Sequence, residues 1–450
     1  ARTLGVPLFQ EQLLRMAMIT AGFSGGEAEE LRRAMGFKRS ERRMRDIEVK
    51  LRAGMTRNGI APDAQAQIID SITSFALYGF PESHSASFAL LAYASAYLKT
   101  HYLGAFTAAL LNHQPMGFYH PSTIVKDAQR HGLKVKAVDV TRSEWLCTVE
   151  ESVVPSAALG AGSDTENLVI GRPGDRVIKN DNQKFFSDHD SHREVCVRLG
   201  LRYVRGLREE AARALVRERQ QRPFESITDV ARRVPELRRT ELETLAAIGA
   251  LNSVPSPESR VPGGEHSQLA TRDSRLKLHR RDALWQVASA SRGEGPLLRG
   301  VPEPDTASPL QAMDREERLV ADFRGTGVTV GPHPMAYRRA ELKAQGICSA
   351  AELEKVPNGQ WVRAAGCVIA RQRPGTAHGF MFLSLEDETG IANAIVTPDL
   401  FEQNRLLLVG EKFLLIEGEL QNLDNVISVK AERVLPLSVT EAETRSHDFH

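Results

Sequence analysis

The stretch Val362-Arg363-Ala364-Ala365-Gly366-Cys367-Val368-Ile369-Ala370-Arg371 opens a series of period-two segments that resumes at 379–386, 391–396, 412–420 and 426–434. Alternation of that kind marks strands with one face buried. Between the third and fourth segments the spacing lengthens to that of a helix, residues 399–408. Five strands with one helix in that position is the layout of an OB-fold barrel, expected over 356–437 with a tail at 438–450. Its rims would carry Arg371, Arg373, His378 and Phe380, cations and an aromatic ring suited to following phosphates and stacking on bases. The competing reading puts Phe380 and Phe382 in the barrel core, Phe382 more readily than Phe380.

Upstream the pattern changes. From residue 1 to about 131 apolar positions recur at three and four, with glycine-containing breaks at 22–26, 54–59 and 78–81, which predicts a helical module. Residues 135–140 and 145–150 read as two short strands, a hairpin that would close the module near residue 150. Residues 151–194 hold Pro155, Gly160, Gly162, Gly171, Pro173 and Gly174 among many polar residues and read as an irregular insertion. Helical periodicity returns over 195–253, where two similar units occur, one around Val204-Arg205-Gly206-Leu207 and one ending Ile248-Gly249-Ala250-Leu251. Linkers at 253–268 and 289–308 and short helices at 276–287, 313–323 and 334–345 fill 254–355. The chain therefore reads as multidomain: mainly α, followed by an all-β barrel.

A length of 450 residues implies several cores. Hydrophobic residues at 42% and charged residues at 26% are ordinary for a soluble protein, and 6% aromatics lean toward helical packing. The formal net charge is only +1, so any nucleic-acid binding must come from local clusters. Cys147, Cys196, Cys348 and Cys367 form no C-x-x-C pair, which argues against a zinc ribbon or a disulfide framework and for a reducing, cytoplasmic setting. The apolar run at 85–98 is shorter than the roughly 20 residues that cross a bilayer. The chain opens at Ala1 inside an amphipathic pattern (Leu8, Leu13, Leu14, Ala17, Met18), which reads as an N-terminal truncation.

Chemistry concentrates in three places. Tyr78-Gly79-Phe80-Pro81-Glu82-Ser83-His84-Ser85 leads into a long helix that ends Leu98-Lys99-Thr100-His101-Tyr102. A proline start, free first-turn amides and the positive end of the helix dipole make such a mouth able to hold a phosphate. The plainer alternative is that Ser83 and Ser85 cap the helix and His84 lies on the surface. Residues 31–52 carry nine Lys and Arg, among them Arg33 and Lys38, against Glu41, Asp46 and Glu48. This is either a phosphate-facing patch or a solvated helix face with i,i+4 pairs. The third place, Arg205-Gly206-Leu207-Arg208, resembles a helix-hairpin-helix turn, whose backbone amides hold a DNA phosphate without reading sequence; Arg208 replaces one glycine of the usual pair. An ordinary αα-hairpin is the alternative. The cluster Asp188-His189-Asp190-Ser191-His192 has metal-ligand chemistry but falls in the irregular stretch, where nothing would preorganise it.

Taken together, several motifs resemble the fingers domain of bacterial C-family DNA polymerases, the catalytic α subunits of the DNA polymerase III type. They are Leu4-Gly5-Val6-Pro7-Leu8-Phe9-Gln10-Glu11-Gln12, Leu31-Arg32-Arg33-Ala34-Met35-Gly36, Tyr78-Gly79-Phe80 with Ser83-His84-Ser85, and Leu98-Lys99-Thr100-His101-Tyr102. Gln114-Pro115-Met116-Gly117-Phe118-Tyr119, Arg142-Ser143-Glu144-Trp145, Gly327-Val328-Thr329-Val330-Gly331-Pro332-His333-Pro334-Met335 and the ending Asp448-Phe449-His450 point to the error-prone, damage-inducible branch. The resemblance covers all but 152–191. It implies a fingers domain over 1–150, helix-hairpin-helix DNA binding over 195–253 and a nucleic-acid-binding barrel. It also implies nucleotide binding at Arg33, Lys38, Tyr78, Ser83 and His84, and DNA binding at Arg205, Gly206, Leu207, Arg208, Arg371, Arg373, His378 and Phe380. The implied partners are primed template and single-stranded DNA, deoxynucleoside triphosphates and translesion accessory proteins. The implied cofactor is Mg2+, held by palm aspartates that precede the fingers and lie outside this chain. On that reading the chain alone extends nothing. The reading from a different class is a non-enzymatic DNA-binding protein of helix-hairpin-helix and OB modules.

Overall fold

Leu13, Ala17 and Ala21 repeat at helical spacing on one side of α1 (Gln10–Ala21), and all three are buried. The Gln12 side chain accepts the Phe9 amide at 2.9 Å to start the helix, and Gly22 ends it at φ +69°, a conformation costly for any residue with a Cβ. The computed structural model describes residues 6–34, 41–75, 81–117, 119–153, 193–255, 278–290, 308–374, 377–423, 426–439 and 447–449. The expected insertion, most of both linkers and the Asp188–His192 cluster lie outside these residues.

The chain divides into two compact units, residues 1–101 and 102–450. In the first, α1, α2 (Gly25–Ala34), α3 (Glu41–Arg57) and α4 (Pro62–Phe75) enclose a core of Leu13, Leu31, Ile47, Leu51, Met55 and Ile72. Each such side chain stabilises the unit by about 1.5–3 kcal/mol. The expected break at 54–59 falls later than its first glycine: α3 runs through Gly54, and the chain turns at Gly59, φ +72°. Gly54 has a packing role instead, because a Cβ there would lie 2.1 Å from the Ala21 carbonyl oxygen. The unit ends in α5 (Glu82–His101), which buries none of its residues and exposes Phe88, Leu90, Leu91 and Tyr93.

The second unit opens with α6 (Leu103–Asn112) and α7 (Pro121–Arg130). The hairpin expected from 135–140 and 145–150 is corrected. β1 (Lys134–Lys136) and β2 (Thr148–Val153) do not pair with each other, because β3 (Arg193–Arg198) lies between them, parallel to β1 and antiparallel to β2. Residues 193–198, expected at the edge of a helical stretch, are thus a strand. A 3-10 turn (Leu201–Tyr203), α8 (Glu209–Gln221), α9 (Ile227–Arg233), α10 (Arg239–Ala247) and α11 (Arg280–Ala290) complete a continuous helical core around Leu201, Leu215, Ile227, Leu245 and Leu251. α12 (Arg315–Thr326) starts on the Asp314 carboxylate, which accepts the Glu317 amide at 2.8 Å, and ends at Gly327, φ +73°.

A 3-10 turn (Pro334–Arg338), α13 (Arg339–Ala344) and α14 (Ala350–Leu353) lead into the barrel. Its strands are β4 (Trp361–Gln372), β5 (Met381–Glu386), β6 (Ile391–Val396), β7 (Phe413–Leu423) and β8 (Val426–Pro436), with α15 (Pro398–Gln403) and α16 (Arg405–Gly410) where one helix was expected. The sheet order β5-β6-β8-β7-β4 closes through a β4–β5 pairing, and only β6–β8 among these five is parallel. β9 (His447–Phe449) adds alongside β4. Among the described residues no helix is long and apolar enough to cross a membrane.

Candidate nucleic-acid interface

In the first unit, the mouth of α5 is already touched by an anion. The Glu82 amide donates to Glu11 Oε2 at 2.9 Å, the Ser85 amide closes the first turn on the Pro81 carbonyl, and the His84 ring rests 4.5 Å from that of Phe88. Ser83 and His84 are exposed. Arg33 lies at the end of α2 with its Nε 3.2 Å from Glu29, and Arg32 shares the same carboxylate. Lys50 pairs with Glu30 and Arg52 with Glu48, so much of the described part of the basic stretch is a solvated helix face. Lys38 and Tyr78 lie outside the described residues.

In the second unit the hairpin divides. Gly206, at φ +80°, has open space where a Cβ would sit, and Arg205 is anchored by its amide to the Gly325 carbonyl at 2.7 Å and by its guanidinium to that of Arg324. Leu207, in contrast, is in the core. Arg208 is half-buried and turned onto Glu241: its amide and Nε both meet Glu241 Oε1 at 3.0 Å, and its Nη2 meets Glu241 Oε2 and the Glu236 carbonyl. Burial alone would raise the Glu241 pKa, but Arg208 and the amides of Arg238 and Arg208 outweigh it and keep the carboxyl below its ordinary range. Glu241 therefore satisfies the Arg208 amide and guanidinium, and the outward members of the hairpin are Arg205 and Gly206.

On the barrel, Arg371 is only 5% exposed, with its guanidinium donating to the carbonyls of Leu408 and Glu411. Its charge secures the end of α16 against β4 and is not presented to a ligand. Arg373 lies 4.0 Å over the Phe401 ring, and His378 is exposed at φ +49° in the loop before β5. Phe380 is 37% and Phe382 38% exposed, while Met381, Leu383 and Leu385 point inward. The core reading of Phe382 is thus corrected: strand parity turns it out on the same side as Phe380.

A constellation that the sequence did not flag joins the helical core to the barrel. Glu386, at the end of β5 and 3% exposed, accepts from Thr123 Oγ1 at 3.2 Å and from Arg130 Nη2 at 2.8 Å, both on α7. One turn away, Lys126 is buried and donates to Gln129 and to the Gly331 carbonyl, while Gln129 Nε2 donates to the Val330 carbonyl at 2.9 Å. Burial lowers the Lys126 pKa to about 8 against the pull of Glu386, and burial raises that of Glu386 against Arg130. His333 Nδ1 accepts the Met335 amide, which puts the ring proton on Nε2, 3.9 Å from Glu386. The only signals in the sequence are a lysine in mid-helix and the Gly327–Met335 motif.

Burial and the neighbouring cations Lys126, Arg130 and Arg339 depress the His333 pKa from 6.5 to about 3. The folded chain keeps this ring neutral while the unfolded chain protonates it below 6.5. Stability from this group is therefore complete above pH 6.5 and falls by about 1.4 kcal/mol per unit as pH drops toward 3. The raised pKa of Glu386 acts in the opposite sense and is common to wild type and variant. Urea denaturation at pH 7 and pH 5 should show wild type losing about 2 kcal/mol more than His333→Asn, whose amide oxygen can still accept the Met335 N–H. Equal losses would refute the assignment.

Among the described residues no group of three or more His, Cys, Asp and Glu is arranged to hold a metal ion. Family models match at residues 1–59, the bacterial DNA polymerase III alpha subunit finger domain, and at 132–261, the helix-hairpin-helix motif. Along 100% of its length the chain is 41% identical to an error-prone DNA polymerase of Anaeromyxobacter sp. (strain K) and 41% identical to one of Azoarcus sp. (strain BH72). An error-prone DNA polymerase of Pseudomonas savastanoi pv. phaseolicola is 39% identical, again along the whole chain. The chain spans 35%, 37% and 38% of these relatives, little more than a third of each.

Proposed function

We propose that this chain, homologous from end to end to error-prone DNA polymerases, is the part of such an enzyme that handles the nucleotide and grips DNA in damage-induced translesion synthesis. Identity of 41% along the whole chain carries this reading, supported by the matches to fingers and helix-hairpin-helix models. In it, Arg33, Lys38, Tyr78, Ser83 and His84 bind the incoming triphosphate. Arg205 and Gly206 hold a backbone phosphate, and the barrel loop with Arg373, His378 and Phe380 follows the single strand. A DNA polymerase uses metal-assisted nucleotidyl transfer. In this reading Mg2+ is held by palm carboxylates that lie outside this chain. The setting proposed is cytoplasmic, with translesion accessory proteins as partners.

Two measurements test the reading. The chain with magnesium, nucleotides and a primed template should bind the DNA and add no nucleotide; extension would overturn the division of roles. Binding to a primed template should weaken with salt, and Arg205→Ala and Arg373→Ala should each lower the log-log slope by about 1. Arg371→Ala should instead lower stability, since it removes a buried guanidinium that donates to the Leu408 and Glu411 carbonyls. A salt-independent wild type would exclude DNA as the ligand.

A further inference from the structure

The hairpin and the barrel are joined by one continuous run of polar contacts, and Glu386 is its last member. Starting from the hairpin, the Arg205 amide and guanidinium hold the carbonyls of Gly325 and Arg324. The chain after them is fixed on itself: Thr329 Oγ1 donates to Asp322 at 2.8 Å and accepts the Gly331 amide at 3.1 Å, and Asp322 pairs with Arg280 at 2.8 Å. The carbonyls of Val330 and Gly331 then receive Gln129 and Lys126 of α7. Thr123 and Arg130 of the same helix hold Glu386, and Arg130 Nη1 also reaches the Asp387 carbonyl at 3.4 Å. The barrel side is stiff at that point, because Asp387 is 1% exposed and accepts the amides of Thr389, Gly390 and Ala350.

The consequence is geometric. Arg205 and Gly206 lie on one side of an open groove of about 1680 Å³, and Gly410, Lys412 and Phe413 of the barrel line it too. The loop that carries Arg373 is tied to this barrel rim through the bonds of Arg371 to Leu408 and Glu411. Two weak contacts held at a fixed separation act as one strong one, because the second forms without a new loss of translational freedom. A flexible joint would forfeit most of that gain. Buried, hydrogen-bonded charges are a demanding way to fasten two modules, since each leaves an uncompensated partner if removed.

Resting on the reading above that hairpin and barrel both bind DNA, we propose that Lys126, Gln129 and Glu386 are positioning residues. They fix the barrel to the hairpin so that one primer-template junction is held at two points, its duplex on Arg205–Gly206 and its overhang on the barrel. None of the three touches the ligand.

The test uses the full chain and three fluorescent probes: a short duplex, a short single strand, and a junction joining the two. Wild type should bind the junction at least about a hundredfold more tightly than either short probe. Glu386→Gln and the milder Gln129→Ala should lose about tenfold or more on the junction and leave both short probes within about twofold. A merely structural role would lower all three affinities together, and that result, or an unchanged junction affinity in folded variants, overturns the proposal. If Glu386→Gln does not fold, Gln129→Ala decides alone by the same criterion. A wild type that binds no probe refutes the DNA-binding reading itself; one that binds the short probes but the junction no more tightly refutes only the two-point grip.

Discussion

Gly54→Ala is expected to destabilise the helical N-terminal unit by about 3 kcal/mol. Real Cβ atoms essentially never approach backbone oxygen at 2.1 Å, the distance at which this one would meet the Ala21 carbonyl, with the Ala21 carbonyl carbon and Cβ at 2.9 Å behind it. Neither neighbour is a flexible tip that can swing away. α1 and α3 would have to separate, opening the contact that buries Ala17, Leu13, Leu51 and Met55. For a unit of about 100 residues the midpoint should fall by on the order of 10–20 °C. Circular dichroism melts of the whole chain would show it as an early loss of helix. Gly26→Ala is the control: nothing lies within 4 Å of its Cβ position and it sits within α2, so alanine there should be neutral or stabilise by up to about 1 kcal/mol. If both variants melt alike, the close crossing does not govern the packing of this unit.

The barrel was legible in the sequence because its signal is local. β5 alternates buried and outward residues over 381–385, and β6 (Ile391–Val396) has the bounds that the sequence pattern predicts. The small sheet was not legible: β1 pairs with β3 across more than fifty residues, and Lys134 ↔ Cys196 leaves no trace in either neighbourhood. The site divides along the same line. Phe382 could have been turned outward from parity alone, with Met381, Leu383 and Leu385 as its buried neighbours. Arg371 could not, because β4 is buried on both faces from Ala364 to Arg371, so parity carries no information there. Arg208 and Lys126 are held by groups 33 and 205 residues away, and only the fold shows that these charges are spent internally. Cations on the surface of a helix and cations in a buried seam look the same in a linear sequence. Partner geometry separates them.

For the full-length protein that the proposed reading makes a polymerase, the mouth of α5 carries two substitutions of opposite expected effect. His84 is exposed in the first turn, beside amides at the positive end of a 20-residue helix, and on the proposed reading it donates to a triphosphate oxygen. One hydrogen bond to a charged phosphate is worth about 1.5–3 kcal/mol, so His84→Ala should raise KM for the incoming nucleotide by roughly ten- to a hundredfold. Its Kd for primed DNA should stay within about twofold. Glu11 predicts the opposite sign. Its carboxylate accepts the Glu82 amide at 2.9 Å, occupying a donor that a phosphate would use and placing a like charge beside it. Glu11→Gln keeps an acceptor for that amide and removes the charge, so nucleotide KM should fall. Steady-state kinetics on a primed template, with DNA affinity measured separately, distinguish the outcomes. If His84→Ala weakens DNA binding more than nucleotide use, or Glu11→Gln shifts KM upward, the carboxylate is only a cap and the triphosphate lies elsewhere.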